Sequence, residues 1–350
     1  MRILGRSLQA IWGLGLSGLL AAGVFAAGPA KVVTAVQANT QPQVEVEVSL
    51  VPSEAPGVEE NPEAATEPEY RLHVASFNNS WLREFDGETG DWLGVFDPQN
   101  SAGLWGASGV TTDDHGHIYV SSSYTHQVLR YIAATGQFLD VFVHAGDGGL
   151  WYPQGIAFGP DGNLYVCSAG NNKVLKYRGS DGAFLGTFAN GGSNGTLNFP
   201  YDLAWGADGN LYVSSFNHHS IQKYWGVNGA HLGSFVSPVS GSLYKPAGLA
   251  FGPDGNLYVC SSGNSKVLRY SGTTGQFLGT FVAPWAGGLN TPSDLAFGHD
   301  GNLYVTSYGS WSVKKYVGPG PSQGAFLENF VPASSGLLNG PYSLAFWKKN

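Results

Sequence analysis

The sequence predicts an all-β fold, a six-bladed β-propeller whose ring is closed by the C-terminal strand joining the N-terminal blade. Three observations carry that reading. A unit of about 46 residues recurs, with equivalent starts at His117, Asn163, Asn210, Asn256 and Asn302. Each unit holds four short apolar runs, the content of one propeller blade. Glycine and proline make up one residue in five while only 12% of residues are charged, a composition of many turns and few surface helices.

The fifth unit shows the elements in order. Gly248-Leu-Ala-Phe is a first strand and Pro253-Asp-Gly a tight turn; Asn256-Leu-Tyr-Val is a second strand. After a polar loop come Lys266-Val-Leu-Arg-Tyr, then Thr273-Thr-Gly-Gln, then Phe277-Leu-Gly-Thr-Phe. Runs of four to six residues rich in Val, Leu, Tyr and Phe are too short for helices, and Asp-Gly and Thr-Gly steps supply the positive φ of hairpins. The ends are offset by one strand. Arg71-Leu-His-Val-Ala-Ser matches a second strand with no first strand before it, and Pro341-Tyr-Ser-Leu-Ala-Phe matches a first strand with nothing after it. The two complete one blade and so remove free edges.

The propeller accounts for residues 70–350. Residues 1–26 read as an export signal: Arg2 and Arg6 precede an uncharged apolar run from Ile11 to Ala27, with Val24-Phe25-Ala26 before a cleavage point. An uncleaved anchor is the alternative, but the run is short against the ~20 residues of a spanning helix. With the signal removed, no stable membrane insertion is expected, and the product is exported: extracellular, periplasmic or in the cell envelope. Residues 27–69 read as an acidic, disordered linker, because between Lys31 and Glu69 that one lysine faces eight glutamates and no aromatic residue occurs. Beyond it the charge is nearly balanced, so the clustered Lys and Arg of a nucleic-acid site are missing.

The run Ile156-Ala-Phe-Gly-Pro-Asp-Gly-Asn-Leu-Tyr-Val, followed by Asn171-Asn-Lys-Val-Leu-Lys-Tyr, resembles an NHL repeat. The resemblance covers about 280 of the 350 residues and implies a six-bladed propeller of the TolB-like and SMP-30-like kind. One departure stands out. Such repeats often carry Asp after the second strand, whereas this chain has Ser76, Ser122, Ser168, Ser215, Ser261 and Ser307. The architecture hosts binding modules, lactonases and lyases alike, so activity does not follow from it.

Strand order puts the Pro-Asp-Gly and Thr-Gly hairpins on one rim, nearly identical in every unit and read as structural. The other rim carries the long inter-blade loops, where function usually sits. Each loop ends on Leu104, Leu150, Leu197, Leu243, Leu289 or Leu338, and five are followed three places on by Pro153, Pro200, Pro246, Pro292 or Pro341. The two residues between vary from copy to copy: Trp105-Gly, Trp151-Tyr, Asn198-Phe, Tyr244-Lys, Asn290-Thr and Asn339-Gly. Variation inside a fixed frame breaks the ring's symmetry, as a specific site must. The candidate ligand-binding residues are therefore Trp105, Trp151, Tyr152, Phe199, Tyr244, Trp285, Asn217 and His218. Flat rings beside amide groups suit a neutral polar ligand, a glycan or peptide, or another protein.

The residue before the inner strand is glycine in three copies but Asp202 and Asp294 in two. The pair is the candidate metal site, for Ca²⁺ or another divalent cation on the axis. SMP-30-like enzymes hold such an axial metal, but no Glu stands at an equivalent place here; the plain alternative is a strand cap bonded to neighbouring amides. His218-His219 and His144 lack a third ligand at zinc spacing, and no catalytic set of the kind streptogramin lyases use can be aligned. Cys167 and Cys260 share one register two blades apart and read as small buried packing residues. A basic residue in the third strand (Arg83, Arg130, Lys176, Lys223, Arg269, Lys315) recurs in every unit, as a structural charge would. The leading expectation is an exported NHL-type binding module. The alternative is a metal-dependent hydrolase of the lactonase or esterase kind, or a lyase, at the channel mouth.

Overall fold

The computed structural model describes residues 69–97, 100, 102–191 and 195–349. The predicted export signal and all but the last residue of the predicted linker lie outside the described residues. Contacts divide the chain into Met1–Pro62 and Glu63–Asn350, and every described residue belongs to the second unit.

Six four-stranded antiparallel sheets form the ring. Their inner strands are Pro341–Lys348 in blade one, then Ala107–Thr112, Pro153–Phe158, Pro200–Trp205, Pro246–Phe251 and Pro292–Phe297 in blades two to six. Each inner strand touches the next, and the strand of blade one closes the circle between blades six and two. That strand pairs with Tyr70–Ser76 in a register running from Tyr70↔Lys348 to Ala75↔Ser343, so the predicted closure is the observed one.

The core is a set of seams between blades. In five of them the second-strand tyrosine meets an aromatic ring from the inner strand of the next blade: Tyr119–Phe158, Tyr165–Trp205, Tyr212–Phe251, Tyr258–Phe297 and Tyr304–Phe346, at centroid distances of 4.9–5.0 Å. Their edge-to-face geometry adds specificity to the buried area. At the seam from blade one to blade two the equivalent positions are His73 and Thr112, and Phe96 packs edge-on against His73 at 5.0 Å. All six loop-ending leucines are buried.

The six serines after the second strand have one shared task. In every blade the amide of the first variable loop residue donates to the serine Oγ at 2.9–3.0 Å. In five blades the hydroxyl returns a bond to the same residue's carbonyl. Serine, which both accepts and donates, closes this loop where a carboxylate could only accept.

The recurring charge needs one correction. Arg130, Lys176, Lys223, Arg269 and Lys315 all pair across the sheet with the second-strand tyrosine, but in blade one that register belongs to Glu84, opposite His73. Arg83 is one place off. It is buried, with its guanidinium 4.4 Å from the Trp81 ring centroid and 5.4 Å from that of Trp92. In blade one the charge stands one residue earlier in the third strand, and Glu84 takes an ion pair from Arg71 at 2.7 Å.

Cys167 and Cys260 are free and fully buried, and burial pushes both thiols well above their ordinary range. Each faces a glycine level of the channel; where the level carries aspartate, Ser214 or Thr306 replaces cysteine and bonds the aspartate backbone amide at 2.9 and 2.8 Å. Neither thiol should label in native protein on a timescale where both label fully in denaturant. Rapid native labelling followed by mass spectrometry would show that these strands open locally.

Candidate functional site

The loop rim is built from a two-residue frame. The second variable residue is left-handed in all six blades: Gly106, Tyr152, Phe199, Lys245, Thr291 and Gly340, with φ between 52° and 71°. Its amide is stapled to the preceding blade in five of them. The acceptors are Ser80 Oγ, His126 Nδ1, Asn172 Oδ1, His219 Nδ1 and Ser265 Oγ, at 2.8–3.2 Å. His219 is thus an inter-blade acceptor. Gly106 and Gly340 adopt the conformation freely, whereas a side chain there costs of order 1–2 kcal/mol. Tyr152, Phe199, Lys245 and Thr291 therefore stand where glycine would serve the scaffold better, a pattern found at functional sites.

The rings of Tyr152 and Phe199 face the axis. They belong to a closed circuit of seven rings on the half of the mouth formed by blades one to four: Phe77, Tyr124, Tyr152, Phe199, Phe216, Tyr201 and Tyr342, with successive centroids 4.9–6.0 Å apart. Within it, Phe77, Tyr342, Tyr201 and Phe216 form a stacked row, with interplanar angles of 24°, 19° and 17°. Blades one and four are opposite each other, so the Tyr201–Tyr342 stack crosses the axis and plugs the channel. The Tyr342 hydroxyl donates to Gln154 Oε1. Lys245 holds its ammonium 5.5 Å from the Phe216 centroid.

The other predicted site residues divide by radius. Trp105 is 60% exposed and touches the circuit through Tyr124 at 5.2 Å. Trp151, 54% exposed, and Tyr244 lie against Gly170 and Gly263, where a Cβ would clash with either ring. Asn217 is exposed on the rim and donates to Asn198 Oδ1 at 3.1 Å. Trp285 opens a turn whose Ala286 carbonyl accepts the Tyr316 hydroxyl and whose Gly287 abuts Phe326, which puts it on the outer side of blade six. His218 lines a perimeter cleft of blade four. Tyr201, Tyr342 and Gln154 were not among the predicted residues. Their signal is the position after the loop proline, which reads Ser108, Gln154, Tyr201, Ala247, Ser293 and Tyr342 around the ring.

Beneath the plug lies a chamber of about 10 Å³, lined by Gly109, Gly155, Asp202, Asp294 and Ser343 below the two tyrosines. That is room for one water. Asp202 Oδ2 accepts the Leu249 amide at 3.1 Å. Asp294 Oδ2 accepts the Leu344 amide at 3.1 Å and the Ser343 hydroxyl at 2.7 Å. Each carboxylate therefore caps the inner strand of the following blade. Gly155 and Gly248 are glycine because a Cβ there would sit 2.3 and 2.5 Å from Asp202 Oδ1 and Asp294 Oδ1. Burial, and for Asp202 also the charge of Asp294, raises both carboxyls, Asp294 to about 6. Two carboxylates already engaged with amides fall short of the six to eight oxygens of a Ca²⁺ shell. Among the described residues no three His, Cys, Asp or Glu side chains group as metal ligands.

The hairpin rim is less uniform than its repeats suggest. Blade two reads Asp113-Asp114-His115-Gly116-His117 where blade three reads Gly159-Pro160-Asp161-Gly162-Asn163, and a cleft of about 600 Å³ opens between the two. Asp113 accepts His117 Nδ1 at 2.8 Å and the Tyr119 hydroxyl at 3.0 Å. Burial opposes its charge, but these bonds hold its carboxyl below the usual range. In blades three, four and six that work falls to Asp161, Asp208 and Asp300, each paired with a lysine at 2.7–3.0 Å.

No family model and no curated protein matches the chain. Solved structures do. A chain of a nidogen–laminin complex is 16% identical with a TM-score of 0.62, covering 79% of this chain and 98% of that one. A protein of unknown function from Bacteroides caccae is 16% identical with a TM-score of 0.61, covering 80% and 100%. Virginiamycin B lyase from Staphylococcus aureus is 16% identical with a TM-score of 0.52, covering 70% and 77%. The fold is a six-bladed β-propeller. At these identities the propeller is similar to its neighbours in fold alone.

Proposed function

We propose that this propeller is an exported, NHL-type binding module that takes a neutral polar ligand, a glycan or peptide, or a partner protein, at its loop rim. The observation that carries the reading is the ring circuit at the mouth, with Tyr152 and Phe199 held in left-handed backbone that glycine occupies in blades one and two. Exposed Trp105, Trp151 and Tyr244 extend the apolar face outward while serines and asparagines supply hydrogen bonds. The nidogen–laminin neighbour is a propeller found with a protein partner, which supports the same use of the fold. The apolar, basic-flanked start of the sequence supports export.

Replacing Tyr152 and Phe199 by glycine copies Gly106 and Gly340. The double variant should melt within about 1 kcal/mol of wild type, because relief of backbone strain offsets lost ring contacts. It should lose at least ~2 kcal/mol of affinity for any glycan or peptide retained from immobilised arrays by wild type. Unchanged binding by the folded variant would remove the mouth from the site.

A second reading is acid–base chemistry by Asp202 and Asp294, favoured by their raised carboxyls and compatible with a hydrolase or lyase. It requires the Tyr201–Tyr342 plug to open, since the chamber beneath admits nothing larger than water.

A further inference from the structure

Blade four departs from its siblings on the perimeter as well as at the mouth. Elsewhere the fourth strand opens on Trp92, Phe138, Phe184, Phe277 or Phe326, and four of these rings pack on glycines of the preceding turn: Gly336, Gly148, Gly241 and Gly287. Blade four has His231. In the third strands of blades two, three and five the matching neighbour is a fully buried leucine, Leu129, Leu175 or Leu268. Blade four has Gln222, only 4% exposed.

The two changes are joined. His231 Nε2 lies 2.9 Å from Gln222 Oε1. The Gln222 amide donates to Ser220 Oγ at 2.8 Å and Ser234 Oγ at 3.0 Å, and Ser234 returns a bond to Oε1 at 3.2 Å. An apolar slot has become a hydrogen-bonded floor. Over it lies a cleft of about 310 Å³, also lined by Thr196 and His218, with no Lys, Arg, Asp or Glu in its lining. Burial lowers the basicity of His231, so its ring is neutral at pH 7.

We propose that this cleft binds a neutral, hydroxyl-rich small molecule, of the size of a single sugar residue. The Gln222 amide is engaged within the floor, so a ligand meets the His218 and His231 imidazoles and the Thr196 and Ser220 hydroxyls, which suit hydroxyl groups. An ion would enter without a counter-charge. An aliphatic ligand would cover the outward polar atoms of His218, His231 and Thr196 without replacing their hydrogen bonds to solvent. The volume is at the lower end of small-ligand clefts. The site is separate from the mouth and does not depend on it.

The test uses the full chain and saturation-transfer NMR with glucose, galactose, mannose and N-acetylglucosamine, each free and as the blocked terminal residue of a trisaccharide. Gln222→Leu with His231→Phe recreates the residues of blades three and five, and His231→Phe alone changes only an exposed position. At least one sugar should give transfer and shift the His231 ring signals, and both variants should weaken it by about tenfold or more while still melting cooperatively. Transfer to the free sugar and the trisaccharide alike marks a glycan terminus as the source; transfer to the free sugar alone marks a soluble sugar. No transfer from any sugar, or transfer that persists in the His231→Phe protein, overturns the proposal, and persistence would move the ligand to the mouth.

Discussion

Removal of residues 341–350 should abolish cooperative folding. Those residues supply the inner strand of blade one, the Tyr342 half of the axial plug and the Pro341 carbonyl that accepts from Ser293. They also supply Ser343, which accepts the Val110 amide of blade two at 3.2 Å and donates to Asp294 of blade six. One strand thus joins three blades. Without it, Tyr70–Ser76 becomes an unpaired apolar edge and the ring a gapped arc, which favours aggregation. The expected result is insoluble protein or a broad, non-cooperative melt. A soluble truncation with a sharp transition would contradict the ring closure.

Asp202→Asn should stabilise the protein at neutral pH. The sign follows from the direction of the shifts. Both carboxyls are raised in the folded state, so below about pH 4, where folded and unfolded chains are both protonated, no penalty exists. The penalty grows as the pH rises through about 6, the value for Asp294, and persists above it. That value describes Asp294; the Asp202 carboxyl is likewise raised, by burial first and then by the charge of Asp294. Asparagine at 202 keeps an oxygen for the Leu249 amide and removes the like-charge repulsion from Asp294. The variant should melt several degrees higher than wild type at pH 7 and within a degree or two of it below about pH 4. A lower melting point at pH 7 would mean that the ionised pair is compensated by a bound cation.

The repeats made the blades, the strand offset and the closure readable, because the same short strands and turns recur where local sequence decides structure. The loop serines were visible as a departure, and their purpose emerged only from their bonds to the first variable loop residue, 17 positions earlier in blades two to six. The axial plug was not readable. Tyr201 and Tyr342 lie in opposite blades, and only closure of the ring brings their faces together. Asp202 and Asp294 stood out by breaking the glycine pattern, but their amide partners belong to neighbouring blades and lie 47 and 50 residues further along. Arg83 was mistaken for a member of the recurring charge because composition does not reveal a one-residue shift, which a cross-strand register does. The hairpin cleft was hidden by the resemblance among hairpins, since one departing copy among five looks like noise until its Asp113–His117 pair is seen to replace the usual aspartate–lysine pair.

The most direct test of the binding reading is a hydrogen–deuterium exchange footprint with a ligand retained from the arrays. Protection should appear at Leu104–Gly106, Leu150–Tyr152 and Leu197–Phe199, the loop ends that carry Trp105, Trp151, Tyr152 and Phe199, with no change at the hairpins 113–117 and 159–163. Protection confined to those hairpins would put recognition on the opposite rim and contradict the account.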